Sequence, residues 1–282
     1  NYARALPKVL LNSFAVSVPV CLLAVTTVPT IISLMQRTSS KDTNVFAYLT
    51  VGLAVLLGGS SMVLLGVFLV FGSFHLLDMG LSISAALVVD TVLCLAFFIQ
   101  HSGMVRRSFQ RRFDSIAPGY YRGAAYAIAS GIILLVLLLF WQRTEPVVLS
   151  VQGPLRWCFH AALLASLAGF FWSSRSLGEF DALGIQPVLA QAKGTQAHDM
   201  PLTIRGAYRW VRHPIYTASL LLIWSQPDLT YDRILFNVTW TGWIIIGSFL
   251  EERDLVTNFG PAYTEYQQKV PMLIPWRIPS DD

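Results

Sequence analysis

Charge is scarce in this sequence. Asp, Glu, Lys and Arg make up 13% of its 282 residues, against 54% apolar residues, and mean hydropathy is +0.56. An ordinary soluble domain carries about twice that charge fraction, so a soluble globular protein is excluded. Only three cysteines occur, Cys21, Cys94 and Cys158, each inside an apolar run. They read as small core residues, which excludes a disulfide framework. There is no metal-binding motif, no internal repeat and no low-complexity tract. A signal peptide is not evident either: the first apolar run is too long and lacks a clear cleavage site. The net charge of +4 reports membrane topology rather than nucleic-acid binding, and no nucleic-acid partner is expected.

What is present is a series of apolar runs. Val9–Met35, Val45–Phe71, Ile83–Gln100, Ala124–Trp141 and Leu155–Trp172 read as membrane spans. Pro214–Trp224 is too short to cross alone and forms a hairpin with Leu229–Leu250, turned at Ser225–Asp228. The expected fold is therefore all-α, a polytopic bundle of about six to seven membrane helices. It forms one integral membrane domain over residues 1–282. Residues 1–44 supply an extra span, 45–200 the membrane core, and 201–282 a hairpin and tail. Arginine and lysine collect in Gln110–Arg122, in Ser173–His213 and after Glu251, and are missing from Gly72–Ser82 and Gln226–Asp232. By the positive-inside rule the rich loops and the C-terminal tail are cytoplasmic. Met104–Phe113 places Val105, Phe109 and Phe113 on one face and four arginines on the other, an interfacial helix for anionic lipid.

Two stretches carry chemistry. In "RGAYRWVRHPIYTASLLLIW" (Arg205–Trp224), Pro214 suits the first turn of a helix and pushes His213 out of helical geometry. Tyr208 and Arg212 are four apart and share a face; Tyr216 lies in the new helix's first turn. In "LEERDLVTNFGPAYTEYQQKVPMLIPW" (Leu250–Trp276), Glu251 and Glu252 follow directly on an apolar run. Their expected position is a helix C-terminus, where the dipole disfavours carboxylates and so calls for another reason for their presence. Gly260 breaks the helix, Pro261 opens another, and Tyr263 and Tyr266 share its face. The hairpin thus ends in Tyr208, Arg212, His213 and Tyr216 on one side, and Glu251, Glu252, Phe259, Tyr263 and Tyr266 on the other. A ligand fitting both has a carboxylate, an ammonium, an aromatic ring and a cation. S-adenosylmethionine has all four. Taken singly, either stretch also reads as an interface anchor.

These paired motifs resemble the cofactor-binding region of the isoprenylcysteine carboxyl methyltransferase superfamily of integral membrane methyltransferases. Upstream, "FFIQHSGMVRRSF", "LLLFWQ" and "FDALGIQ" look like the bacterial methanethiol S-methyltransferases. They look similarly like a membrane family linked to nitrite and nitric oxide reduction. The resemblance covers residues 50–276 and implies a methyltransferase of the bacterial inner membrane that uses S-adenosylmethionine at its cytoplasmic face. It implies that Arg212 and His213 hold the carboxylate end of the cofactor, that Glu251 and Glu252 hold its amine or ribose, and that Tyr216 and Tyr263 face the sulfonium. Tyr208 and Tyr266 complete the pocket. Gln100, His101, Ser102, Arg106 and Asp181 are the acceptor-side residues. His101 is placed to take the acceptor's proton, and Arg212 or Arg106 to favour a thiolate.

Three other readings remain open at this stage. The acceptor is a prenylcysteine carboxylate or a lipid amine instead of a small thiol. The cofactor is NADPH, as in membrane sterol reductases, although their "HP" is followed by Asn-Tyr and this chain has "HPIYTAS". Or the chain is a non-enzymatic partner in nitrite and nitric oxide reduction.

Overall fold

The computed structural model describes residues 43–178, 181–195 and 202–279. The expected span Val9–Met35 lies outside the described residues, as do Phe180 and His198. Among the described residues, five helices are long and apolar enough to cross a membrane: Val45–Phe71, Ile83–Val105, Gly119–Phe140, Pro154–Leu177 and Tyr231–Phe259. A shorter apolar helix, Pro214–Ile223, accompanies them.

In chain order, α1 (Thr43–Leu53) passes through a π-helical turn (Ala54–Gly59) into α2 (Ser60–Phe71). Then come α3 (Ile83–Val105), α4 (Arg107–Asp114), α5 (Arg122–Phe140), α6 (Pro154–Leu177) and α7 (Gln186–Ala192). The last three are α8 (Pro214–Ile223), α9 (Tyr231–Phe259) and α10 (Pro261–Lys269). Strand β1 (Val147–Ser150) pairs antiparallel with β2 (Asp228–Thr230). This small sheet, with the Ser225–Asp228 turn leading into it, is an addition to the expected all-α fold.

Helix α3 shows how each span is divided. Its buried residues include Asp90, Cys94, Phe97 and His101, while Val88, Val92, Leu95 and Ile99 are exposed. Both sets follow helical spacing, so one face packs inward and the other presents hydrocarbon to lipid. The inward face meets α5 and α9, and α6 lies along α8. Between α3 and α9 the core is an aromatic ladder. Trp240 stacks on Phe97 at 5.4 Å and on Phe236 at 4.7 Å, and Phe98 stacks on Trp243 at 4.8 Å. Such pairs add about 0.5–1.5 kcal/mol each beyond their burial. Helix α5 approaches the π turn so closely that a Cβ on Gly131 would lie 2.5 Å from the Leu57 carbonyl oxygen.

Several boundaries differ from the expected ones. Helix α3 continues past Gln100 to Val105, because nothing in "HSGMV" stops it. The interfacial helix begins at Arg107 instead of Met104, with Arg106 extended at the joint (φ −68°, ψ 141°). Its apolar Phe109 and Phe113 remain on one face, and Val105 belongs to α3. Helix α6 runs past Trp172 to Leu177. Most important, α9 continues beyond Leu250 to Phe259 and stops at Gly260, whose φ of +58° is a left-handed value that favours glycine. Glu251 and Glu252 therefore lie within a helix and not at its end, so the dipole argument for them does not apply.

Candidate active site

The site is built where the entrance of α8, the last third of α9 and the segment after α10 converge. Pro214 occupies the first turn of α8 and His213 precedes it at φ −121°, ψ 63°, outside helical geometry. Its backbone is held from the tail: the Arg212 N–H donates to the Pro271 carbonyl at 2.9 Å, and the His213 N–H to that of Met272 at 3.1 Å. The Thr217 hydroxyl donates to the Leu273 carbonyl at 2.7 Å. The chain thus satisfies backbone groups that the helix start and the tail would otherwise leave exposed.

Arg212 and Glu252 form the centre. The guanidinium donates through Nε to Oε1 at 2.5 Å and through Nη2 to Oε2 at 2.8 Å. Its Nη1 donates to the carbonyls of Gln267, at 3.1 Å, and Val270. Glu252 also accepts from Gln267 Nε2 at 2.8 Å and Tyr263 Oη at 3.3 Å. Burial works against the Arg212 charge, but the Glu252 carboxylate outweighs it and holds the guanidinium pKa above its ordinary value. Arg212 thus spends most of its donors inside the protein.

His213 connects this pair to a second carboxylate. Its Nε2 lies 3.2 Å from Glu252 Oε1 and its Nδ1 3.9 Å from Glu251 Oε2. The Tyr216 hydroxyl donates to Glu251 Oε2 at 2.8 Å. The His213 and Tyr216 rings stack at 5.3 Å with a 13° interplanar angle. Tyr266 donates to the Tyr208 carbonyl at 2.5 Å. Burial pushes the Tyr208, Tyr263 and Tyr266 phenols well above their ordinary pKa, with Glu251 or Glu252 adding to the shift. All three remain neutral near pH 7.

The expected acceptor residues divide. His101 is 1% exposed and its ring nitrogens lie 3.0 and 2.5 Å from the Tyr126 hydroxyl. Gln100 donates to Ser130 at 3.3 Å, and Ser102 accepts from Trp243 Nε1 at 3.2 Å. Glu251 lies within electrostatic reach of Tyr126, which brings this cluster next to the first. Asp181 and Arg106 do not join it. The Asp181 carboxylate accepts from the backbone of Ile185 at 3.0 Å and Gln186 at 2.8 Å, capping α7. Burial raises its pKa against the pull of those N–H groups. Arg106 is exposed at the joint between α3 and α4.

Sequence reasoning missed Tyr126, Trp243, Gln267 and the carbonyls of residues 270–273. Tyr126 carried one signal, a lone phenol in the small-residue run "GAAYAIASG" with Ser130 one turn on.

The donor set can be tested against a cationic ligand. Arg212 and Glu252 neutralise each other, whereas Glu251 has no guanidinium or ammonium partner among the described residues. A carboxylate flanked by the His213 and Tyr216 rings suits a cation. Among the described residues no group of three or more His, Cys, Asp and Glu side chains gathers as a metal site.

Fold and site together define a polytopic helical membrane protein with a buried polar centre where α8, α9 and α10 meet. The chain is 33% identical over 201 residues to a methanethiol S-methyltransferase of Pseudomonas deceptionensis, covering 70% of this chain and 75% of that one. It is 33% identical over 197 residues to that of Mycobacterium tuberculosis, covering 69% and 80%. It belongs to the methanethiol S-methyltransferase family, whose name implies a methyl donor. A weaker likeness, 25% over 185 residues, links 61% of the chain to 66% of nurim of Danio rerio. No family model and no solved structure matches the chain.

Proposed function

We propose that this chain is a methyltransferase of the bacterial inner membrane, transferring a methyl group from S-adenosylmethionine to a small thiol, methanethiol first among them. The observation that carries this reading is the buried Glu251, paired with Tyr216 and His213 beside a self-neutralised Arg212–Glu252 pair. That arrangement offers a carboxylate without a guanidinium partner among the described residues, and aromatic faces, to a ligand that is both cationic and aromatic. Glu251 would hold the cofactor's amine or ribose, with Tyr208, Tyr216, Tyr263 and Tyr266 around it. Arg212 would act by holding Glu252 and the tail in place. The cofactor supplies an activated methyl, so the protein's part is to position the reactants and exclude water.

His101 sits next to this pocket inside the bundle, where it can take the proton of a thiol that enters the aromatic core. A volatile apolar thiol needs only a small chamber, and the rings around His101 provide apolar walls. The polar centre lies at the cytoplasmic end of α9 in this reading, by the arginine-rich loops around it.

The test supplies detergent-purified full-length chain with S-adenosylmethionine and, in separate vials, methanethiol, hydrogen sulfide, a prenylcysteine analogue or phosphatidylethanolamine. S-adenosylhomocysteine is measured in solution and dimethyl sulfide in the headspace. Turnover with the small thiols alone is expected. Turnover only with a lipid or prenylcysteine acceptor would overturn the thiol assignment and keep the donor site.

A further inference from the structure

Helix α4 has no task in the reaction. Its eight residues, RSFQRRFD, include Arg107, Arg111 and Arg112, and none of the eight is buried. Arg106 stands exposed just before it. Among the described residues no carboxylate pairs with any of these four guanidiniums. Arg122, Arg156 and Arg212 are different: each lies on a carboxylate at 2.7 Å or less. The apolar side of α4 is uncovered as well. Phe109 is 37% exposed, and Ile116 in the turn that follows is 85% exposed. Guanidiniums flanking open hydrocarbon mark a helix that lies in a membrane interface.

Helix α3 fixes the depth of α4. Its 23 residues span about 35 Å, slightly more than a hydrocarbon core of about 30 Å. The chain therefore leaves the hydrocarbon near Val105, and α4 starts among the headgroups. Helix α3 runs parallel to α9: Cys94 meets Thr239, Phe97 meets Trp240 and Ser102 meets Trp243. So α4 lies at the end of the bundle that carries Glu251 and Glu252. Two ties hold it there. One is the chain itself, through Arg106 to α3, one turn beyond Ser102. The other is a fork from Arg122 at the start of α5, which donates through Nε to Asp114 Oδ1 at 2.7 Å and through Nη2 to Oδ2 at 2.9 Å. One turn further along α5 stands Tyr126, whose hydroxyl reaches the His101 ring at 3.0 Å. Helix α4 thus bridges the same two helices that Tyr126 and His101 join inside the bundle.

We propose that α4 is a docking surface for the headgroups of anionic phospholipids, and that a seated headgroup layer steadies the α3–α5 crossing at His101. Phosphate esters supply the negative charge that the four guanidiniums meet nowhere among the described residues. Each arginine near an anionic leaflet gains about fivefold in affinity. Phe109, Phe113 and Ile116 sink into the acyl boundary and hold the helix flat. The occupant is the bilayer itself, because a free phosphate has no hydrocarbon for that apolar stripe.

The test places purified full-length chain in nanodiscs of phosphatidylcholine or of an equal mixture with phosphatidylglycerol. Native mass spectrometry of the released chain measures the lipid it retains. Arg107→Gln/Arg111→Gln/Arg112→Gln should lower the retained ratio of phosphatidylglycerol to phosphatidylcholine about tenfold or more. The triple lysine variant, which keeps the charge, should keep most of it. Wild-type chain should melt at a higher temperature in the mixed discs than in phosphatidylcholine, and the glutamine variant should lose that gain. Asp114→Asn should keep the lipid and lose the gain, since it cuts the tie to α5 and spares the arginines; Arg122→Gln serves if Asp114→Asn does not fold. Equal retention in wild type and the glutamine variant would overturn the docking surface. A gain that survives loss of the Asp114–Arg122 fork would overturn the coupling. Inorganic phosphate that raises the melting temperature in phosphatidylcholine discs as much as phosphatidylglycerol does would overturn the lipid as occupant. Neither measurement uses turnover, so both stand whichever acceptor the chain methylates.

Discussion

Arg212 grips Glu252 at two points, Nε to Oε1 and Nη2 to Oε2, joining the entrance of α8 to the interior of α9. Both side chains are 10% exposed, so breaking the pair leaves a charge buried without its partner. Arg212→Ala should destabilise the protein by about 3–5 kcal/mol. Arg212→Lys should recover little of that, because an ammonium cannot make the fork. Thermal unfolding in detergent measures both; a lysine variant as stable as wild type would show that the fork is dispensable.

Glu251 is bonded to a phenol and faces an imidazole, and among the described residues it faces no arginine. Glu251→Gln keeps its shape and removes its charge. Affinity for S-adenosylhomocysteine or its methylated parent should fall about tenfold or more, the equivalent of one charge-assisted contact at about 1.4 kcal/mol. The melting temperature should move far less than in Arg212→Ala. Calorimetric titration of the two variants side by side separates a ligand contact from a structural clamp.

At the opposite end of α9, Asp232 accepts from Trp141 Nε1 at 3.1 Å, from the Thr144 N–H at 3.1 Å and from its hydroxyl at 2.6 Å. Asp232→Ala leaves those buried donors unmatched. It should lower stability by about 1–3 kcal/mol while leaving donor affinity intact, since the site lies several helical turns away. A matching loss of affinity would argue that the two ends of α9 are coupled.

Asp228 in β2 is bound by Arg156 through two contacts, at 2.9 and 2.5 Å, and by Ser150 at 2.7 Å. The Arg156 hydrogen bonds hold its carboxyl down, from 3.8 to about 2. The stabilisation is complete above the ordinary carboxylate pKa, where folded and unfolded chains are both ionised. It is lost as pH falls from there through about 2, because the unfolded chain takes up the proton first. Solvent reaches this pair, so the effect is small. Asp228→Asn should flatten the acid-side decline of melting temperature between those two values; an unchanged slope would refute the pairing.

How far the sequence went can be judged residue by residue. Pro214 and the Gly260–Pro261 pair marked their boundaries correctly, because each acts through the backbone alone. The end of α9 was misread because hydrophobicity stops at Leu250 while helix propensity does not; Leu255, Val256 and Phe259 carry the helix on to Gly260. The joining of Tyr208, His213, Tyr216, Glu251 and Glu252 was legible, since one hairpin brings its two ends together. The role of Arg212 was not. Its partners Gln267 and Val270 lie 55 and 58 residues away, and no local pattern announces a carbonyl as an acceptor. Tyr126 was hidden for the same reason: its meaning comes from a helix crossing, not from its neighbours in sequence.

The backbone bonds from Arg212 and His213 to Pro271 and Met272 have a consequence for biosynthesis. Every described membrane helix is translated before the segment that those bonds require. A nascent chain can therefore insert all of these spans and still have no completed centre. The ribosome must deliver residues 261–273 before His213 is locked in place, so competence arrives last and all at once. Truncation within that segment would give a protein that inserts its described spans and yet never completes the polar centre.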